Sequence, residues 1–409
     1  MDNQLYGIAI SETSKDRTIR KLNGYSNNIF MIGNYIEIVK GKKNIKFKEV
    51  LIREFKNRFG SEKFREKFGD NMKIDVIIGN PPYQDSNNSG NGGGGTAIYD
   101  KFVLGSLDIS DRIVGFITPA RWYTDENKVL RLKETLLECN NIRELHDFDK
   151  TEDVFKGVYI MGGVCYYILD KKYHGICKVV EHRNEDIIVK DRPIKEDCLD
   201  IFVRNYMAVD ILKKVINNNN FLTLYDYIQD YNIFGLRSYE RGFKDRDEVN
   251  NVKMYYTGNN ARGGGVGYIS DNLVANSNFI NKHKVFINSV SDNMLGFPYK
   301  TLYKGFYGEP GSVCTESYLM IGPVKKKEYA DNIIKYLSTQ FIRFLVQQRK
   351  TSQLAYKKVY KFVPLQDFSS ESDIDWSQSI KDVNYQLYKK YNITFEESKF
   401  IESTIKYMD

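Results

Sequence analysis

Short apolar runs alternate with stretches of helical spacing through the first part of the chain. Gln4–Ile10 is an apolar run that ends in Ser11-Glu12-Thr13, where a helix over Lys15–Leu22 can be capped. Ile29–Ile32 and Ile36–Val39 form a second apolar patch. The charged stretch Lys40–Asp70 has helical spacing at Val50, Leu51, Phe55 and Phe59. Ile74–Ile78 is apolar and β-branched, the pattern of a strand buried on both faces of a parallel sheet. It stops at Gly79-Asn80-Pro81-Pro82-Tyr83, and Gln84–Thr96 follows as a polar, glycine-rich loop with no core-forming residues. Tyr99–Leu107 and Lys128–Glu138 predict helices; Arg112–Thr118, Ile142–Phe148 and Gly163–Leu169 predict strands. Such alternation predicts an α/β domain with a largely parallel sheet over residues 1–175.

Beyond a linker at 176–200, the pattern changes. Residues 201–409 hold short β-like runs (Lys253–Thr257, Lys284–Asn288, Ser317–Ile321) between turns rich in Gly and Asn, then helical stretches at Lys326–Gln347 and Ser379–Tyr391. A mixed α+β region with long loops is expected there, with no internal repeat.

Composition sharpens this only in places. Hydrophobic residues make up 42% and charged residues 28%, which suits a folded, cytoplasmic protein. No run reaches the roughly 18 apolar residues of a membrane helix, and no secretion signal opens the chain. Five cysteines stand singly and only four histidines are present, so neither a disulfide framework nor a metal site is expected. The net charge of +7 leans weakly towards a polyanionic partner. Thirty Tyr and 24 Phe could stack on unpaired bases, but core packing accounts for most of them.

The chemistry is concentrated in Asn80-Pro81-Pro82-Tyr83. Pro-Pro after a strand is commonly only a stiff turn. Here it leaves the carboxyl end of a buried strand, where α/β folds place their ligands, and Gly79 frees the turn. The blocks IDVIIGNPPYQ, AIYDKFV, VGFITPARW, IRELHDF and GGVCYYILDK resemble, in order, those of γ-class DNA adenine-N6 methyltransferases, the methylases of Type II restriction–modification systems. Ser312–Gly322, Ser338–Lys350, Tyr360–Phe368 and the segments near the end resemble the DNA-reading region of the same family.

That resemblance implies a partial Rossmann-like methyltransferase domain followed by a target-recognition domain. It also implies S-adenosyl-L-methionine as methyl donor and double-stranded DNA as substrate, with Asn80, Pro81, Pro82 and Tyr83 as the catalytic set. The nitrogen N6 of adenine is a poor nucleophile because its lone pair is delocalised into the ring. Two acceptors aimed at its hydrogens, the Asn80 side-chain oxygen and the Pro81 carbonyl, would free that lone pair. The prolines hold these acceptors still, and Tyr83 would stack on a flipped-out base. Tyr167, in preference to Tyr166, is the expected second aromatic wall, with core packing as its alternative. Arg121 and Trp122 are expected either to face DNA or, for Trp122, to be buried.

The sequence departs from the family in one respect. Gln4–Ile10 resembles the family's second strand, so the strand and Gly-rich turn that grip the donor are expected to be missing, with Ala9 where an acid often stands. Neither Gly90–Gly95 nor Gly263–Gly267 has the surroundings to replace that turn. A truncated product, a split enzyme completed by a second chain, and a DNA-binding specificity module with an inactive methyltransferase fold remain open, and an endonuclease subunit is a further candidate partner. Expected DNA contacts are Arg343, Arg349, Lys350, Lys357 and Lys358, interleaved with aromatics, with a solvated helix face as the alternative. Arg237, Arg241 and Arg262 are candidates for reading guanine edges.

Overall fold

The computed structural model describes residues 7–9, 29–31, 49, 52–53, 56–57, 60–68, 73–84, 97–124, 129–183, 186–217, 222–258, 264–291 and 296–408. The expected helix Lys15–Leu22, the patch Ile36–Val39, the body of the glycine-rich loop with Gly90–Gly95, and Arg262 lie outside the described residues.

β1 (Gly7–Ala9) and β2 (Ile29–Met31) pair in parallel as a sheet of two. After α1 (Ser61–Phe68) come β3 (Ile74–Gly79), α2 (Tyr99–Ile109), β4 (Ser110–Pro119), α3 (Leu130–Glu138), β5 (Ile142–Phe148), β6 (Val164–Asp170), β7 (Cys177–Arg183) and β8 (Asp186–Arg192). These strands form one six-stranded sheet in the order β3-β4-β6-β5-β7-β8. Helices link β3 to β4 and β4 to β5, so those strands run the same way. Between β5 and β6 lies only a short 3₁₀ turn at Thr151–Asp153. Without a crossover helix, β6 returns antiparallel between β4 and β5. The sheet is therefore mixed, not largely parallel: only β3–β4 and β5–β7 are parallel neighbours. The expected linker at 176–200 is corrected too, since much of it forms the hairpin β7–β8 and extends the same sheet.

The two faces of this sheet differ. On one, α2 and α3 bury Val103, Leu132 and Leu136 against Val114, Phe116, Leu145, Tyr167 and Val179. On the other, Val76 and Ile78 of β3 and Ile187 and Val189 of β8 stay exposed, Ile78 at 78%.

In the second half, α4 (Tyr206–Ile216) precedes β9 (Val252–Thr257), β10 (Gly264–Ile269), β11 (His283–Asn288), β12 (Phe306–Gly308), β13 (Ser312–Cys314) and β14 (Tyr318–Val324). They form two small sheets, β10-β9-β13 and β12-β11-β14. Four helices follow: α5 (Lys327–Ser338), α6 (Gln340–Gln347), α7 (Ile380–Lys390) and α8 (Phe395–Thr404). The single helix expected over Lys326–Gln347 is two, because Thr339 ends one and caps the next. Its N–H donates to Tyr336 O at 3.1 Å, and its hydroxyl accepts from the Ile342 N–H at 3.4 Å. Ile211, Leu212, Ile287, Leu319, Tyr336 and Phe341 belong to the largest core. Contacts join the halves: the Phe202 N–H donates to Tyr123 O at 3.0 Å, and the Thr124 and Thr351 hydroxyls lie 3.2 Å apart. Among the described residues no helix is long and apolar enough to cross a membrane.

Candidate active site

β3, β4 and β5 run in one direction, so the segments after them share one edge of the sheet. Asn80-Pro81-Pro82-Tyr83 leaves β3 at that edge. Asn80 is exposed, Pro81 buried, and Pro82 and Tyr83 are half-buried. Gly79 sits at a close approach: a Cβ there would stand 3.0 Å from Cε1 of Phe116, its neighbour in register on β4, and that ring would have to give way. The far side of the tetrapeptide is anchored to the start of α2. The Ile98 N–H donates to Tyr83 O at 3.2 Å, Gln84 and Ala97 form an antiparallel bridge, and the Tyr83 and Tyr99 rings meet edge-on with centroids 6.3 Å apart. Gln84 and Ala97 are thus held side by side. Burial pushes the Tyr83 and Tyr99 hydroxyls well above their ordinary range, so both are neutral phenols.

After β4, the turn Ala120–Tyr123 packs inward. The Ala120 N–H donates to Gly163 O at 3.1 Å, and the Trp122 indole donates to Cys165 Sγ at 3.3 Å. Trp122 is fully buried, so of its two readings the core one holds; Arg121 is half-buried, its Nε donating to Met161 O at 3.3 Å. Tyr167, the expected second aromatic wall, is 1% exposed and packed among core side chains, 6.0 Å from the Trp122 ring. Its ring faces are covered in this structure, which corrects that expectation. Tyr166 points to the opposite face, stacked on His146 at 4.1 Å. Among the described residues, Val158 and Tyr159, in the loop joining β5 to β6, are exposed at the edge that carries Asn80–Tyr83. Hydropathy alone did not single them out, because their exposure follows from the loop's route. Gly163 closes that loop with φ +74°, where a Cβ would lie 2.1 Å from Phe148 O.

Below this edge sits a buried ionic cluster. Asp147 is fully buried, with Arg183 at 2.6 Å and Arg204 at 3.2 Å from its carboxylate. Burial pushes its pKa up, but the two guanidiniums outweigh this and hold it below the usual carboxylate range.

The expected DNA contacts divide. Arg343 is fully buried and donates to Thr339 O at 3.3 Å and Lys300 O at 3.1 Å; burial lowers its pKa to about 10. Arg349 is buried in a two-pronged pair with Asp200 at 2.5 and 3.0 Å. Lys350 is buried and donates to Ser291 Oγ at 2.7 Å and Leu354 O at 3.1 Å. These three are corrected to structural ties: α6 and the turn after it are enclosed by other elements, so Arg343, Arg349 and Lys350 meet carbonyls, the Ser291 hydroxyl and Asp200, not solvent. Lys357 is half-buried, 3.3 Å from Asp230, and Lys358 is exposed; both keep surface positions. Arg237 is exposed and pairs with Glu316 at 3.1 Å, and Arg241 lies over the Tyr256 ring at 4.9 Å. Beside them Tyr239 and Phe243 are exposed, two aromatics that the turn-rich sequence did not single out. Gly264–Ile269 is a strand paired antiparallel with β9, so this glycine run is not a ligand-cradling turn. Among the described residues no group of three or more His, Cys, Asp or Glu could hold a metal ion.

A family model described as Eco57I restriction-modification methylase matches residues 3–155. An uncharacterized adenine-specific methylase of Mycoplasma pneumoniae is 43% identical over 114 residues, which is 27% of this chain and 27% of that protein. The chain thus matches about a quarter of the length of that curated relative. Among solved structures, the type IIG restriction endonuclease BpuSI matches with TM-score 0.33 and 11% identity, covering 99% of this chain and 62% of that one. The Type IIL restriction-modification enzyme MmeI in complex with DNA matches with TM-score 0.43 and 11% identity, covering 99% and 61%. The resemblance to adenine-specific restriction–modification methylases read from the sequence therefore holds for the part that carries Asn80–Tyr83.

Proposed function

We propose that this chain, whose residues 3–155 match a restriction–modification methylase family, forms the catalytic and DNA-reading part of a site-specific DNA methyltransferase acting on N6 of adenine. One observation carries the reading: Asn80-Pro81-Pro82-Tyr83 leaves a strand at the ligand-binding edge of the sheet and is fixed there through Tyr83 O, Gln84 and Tyr99.

In this reading the Asn80 side-chain oxygen and the Pro81 carbonyl accept the two N6 hydrogens and concentrate the lone pair on nitrogen. Pro81 and Pro82 contribute no N–H that could compete for those acceptors. Tyr83, neutral and half-buried, stacks on an adenine extruded from duplex DNA. S-adenosyl-L-methionine would supply an electrophilic methyl group on sulfur. Among the described residues no glycine-rich turn follows a buried strand, so the donor contacts are assigned to residues outside that set or to a second chain. Lys357, Lys358, Arg237 and Arg241 are the proposed DNA-facing cations. A second reading is a DNA-specificity module with an inactive methyltransferase fold that needs a partner chain; the exposed apolar side chains Val76 and Ile78 on one face of β3 support it as a surface such a partner could cover.

The test is methyl transfer from labelled S-adenosyl-L-methionine into unmethylated genomic DNA, with Asn80→Ala as the control. Loss of one preorganised acceptor is expected to lower the rate by about 10²–10³-fold. Salt-sensitive DNA binding without transfer would support the second reading, and neither binding nor transfer would overturn both.

A further inference from the structure

A stacking residue is most useful when its ring is oriented before the base arrives, since a side chain already immobile loses little entropy on binding. Tyr83 is only half-buried, so its own burial does not fix it. Its backbone is held by the Ile98 N–H, and the next residue, Tyr99, meets its ring edge-on at an interplanar angle of 77°. Tyr99 is itself immobile: it opens α2, is 2% exposed, and belongs to the sheet core with Val103, Val114 and Phe116. Its hydroxyl is buried without a hydrogen-bond partner. The ring, not the hydroxyl, therefore makes the contact that matters.

We infer that Tyr99 is a positioning residue that sets the orientation of the Tyr83 ring through edge-on ring contact, making α2 the buttress of the catalytic tetrapeptide. This rests on the proposed methyltransferase reading. In this role Tyr99 acts through Tyr83. A ring edge suffices, so phenylalanine serves in its place, whereas an aliphatic side chain of similar bulk does not.

The experiment compares Tyr99→Leu and Tyr99→Phe with the wild-type chain in two measurements. In hydrogen–deuterium exchange, peptides spanning 79–84 and 97–98 of Tyr99→Leu should exchange about three- to tenfold faster, the range an aromatic pair contributes, while peptides from the second half stay unchanged. In methyl transfer to unmethylated genomic DNA, Tyr99→Leu should lower kcat by a similar factor with KM for DNA little altered. Tyr99→Phe should match the wild type in both. Transfer by the wild type with unchanged exchange and kcat in Tyr99→Leu would overturn the role of Tyr99 alone, as would a loss in Tyr99→Phe equal to that in Tyr99→Leu. If the wild-type chain transfers no methyl group, the exchange comparison alone decides: unchanged exchange at 79–84 in Tyr99→Leu overturns this role, and faster exchange that Tyr99→Phe does not share supports it.

Discussion

Strand β3 and helix α6 invert one another. β3 reads IDVIIG, the most core-like stretch before Asn80–Tyr83, yet Val76 and Ile78 are 52% and 78% exposed. Helix α6 reads QFIRFLVQ and carries an arginine, yet Arg343 is fully buried, as are Arg349 and Lys350 just after it. β3 lies at an end of its sheet, and α2 and α3 cover only one of its faces. α6 packs against α5, α7 and α8, so whatever its sequence carries is enclosed. Arg343, Arg349 and Lys350 are tolerated there because carbonyls, the Ser291 hydroxyl and Asp200 meet them; an unpaired buried charge would be far costlier. Apolar character thus states a demand for burial, and tertiary position decides whether that demand is met.

The largest test asks whether the sheet region relies on buried ions as α6 does. Asp147→Asn leaves Arg183 and Arg204 facing a neutral group in the interior and should cost about 3–5 kcal/mol, read from the urea midpoint. A change under about 1 kcal/mol would mean the cluster is wetter than its burial indicates. Next, Asp200→Ala strands Arg349; because Asp200 is half exposed, the expected cost is discounted to about 2 kcal/mol. This effect carries a pH signature. Burial raises the Asp200 pKa, but Arg349 and Lys361 more than compensate and bring it to about 2. A depressed carboxylate stabilises above its unfolded value near 4 and loses that contribution as pH falls through 4 towards 2. Melting temperatures of wild type and Asp200→Ala should therefore converge on acidification across that window; a constant gap would rule out the ion pair as the source. The smallest effect belongs to β3. Ile78→Ser should change stability by no more than about 0.5 kcal/mol, as at other exposed positions. A loss of several times that would show this face covered in solution and remove half of the contrast.

Local patterns carried a good deal into the structure. Ile74–Gly79, Tyr99–Ile109, Ile142–Phe148 and Val164–Asp170 form the elements their periodicity predicts, to within a residue or two. Asn80–Tyr83 could be read directly, because a strand end followed by two prolines is a covalent and short-range feature. What failed was set by distant partners. The antiparallel insertion of β6 and the hairpin in place of a linker depend on where a strand finds unpaired hydrogen-bonding edges. Tyr166 and Tyr167 are alike in sequence and separated in space by the alternation of a strand whose two faces have different cover.

The sequence by itself determined the type of most elements, the place of Asn80–Tyr83 at a strand end and the resemblance of the first part to a methylase family, since each is written in residues close together along the chain. Tertiary structure alone decided that Arg343, Arg349, Lys350 and Tyr167 are interior groups and that Val158, Tyr159, Tyr239 and Phe243 are exposed. Burial is a property of what packs against a side chain, and those neighbours are supplied by elements far away along the chain.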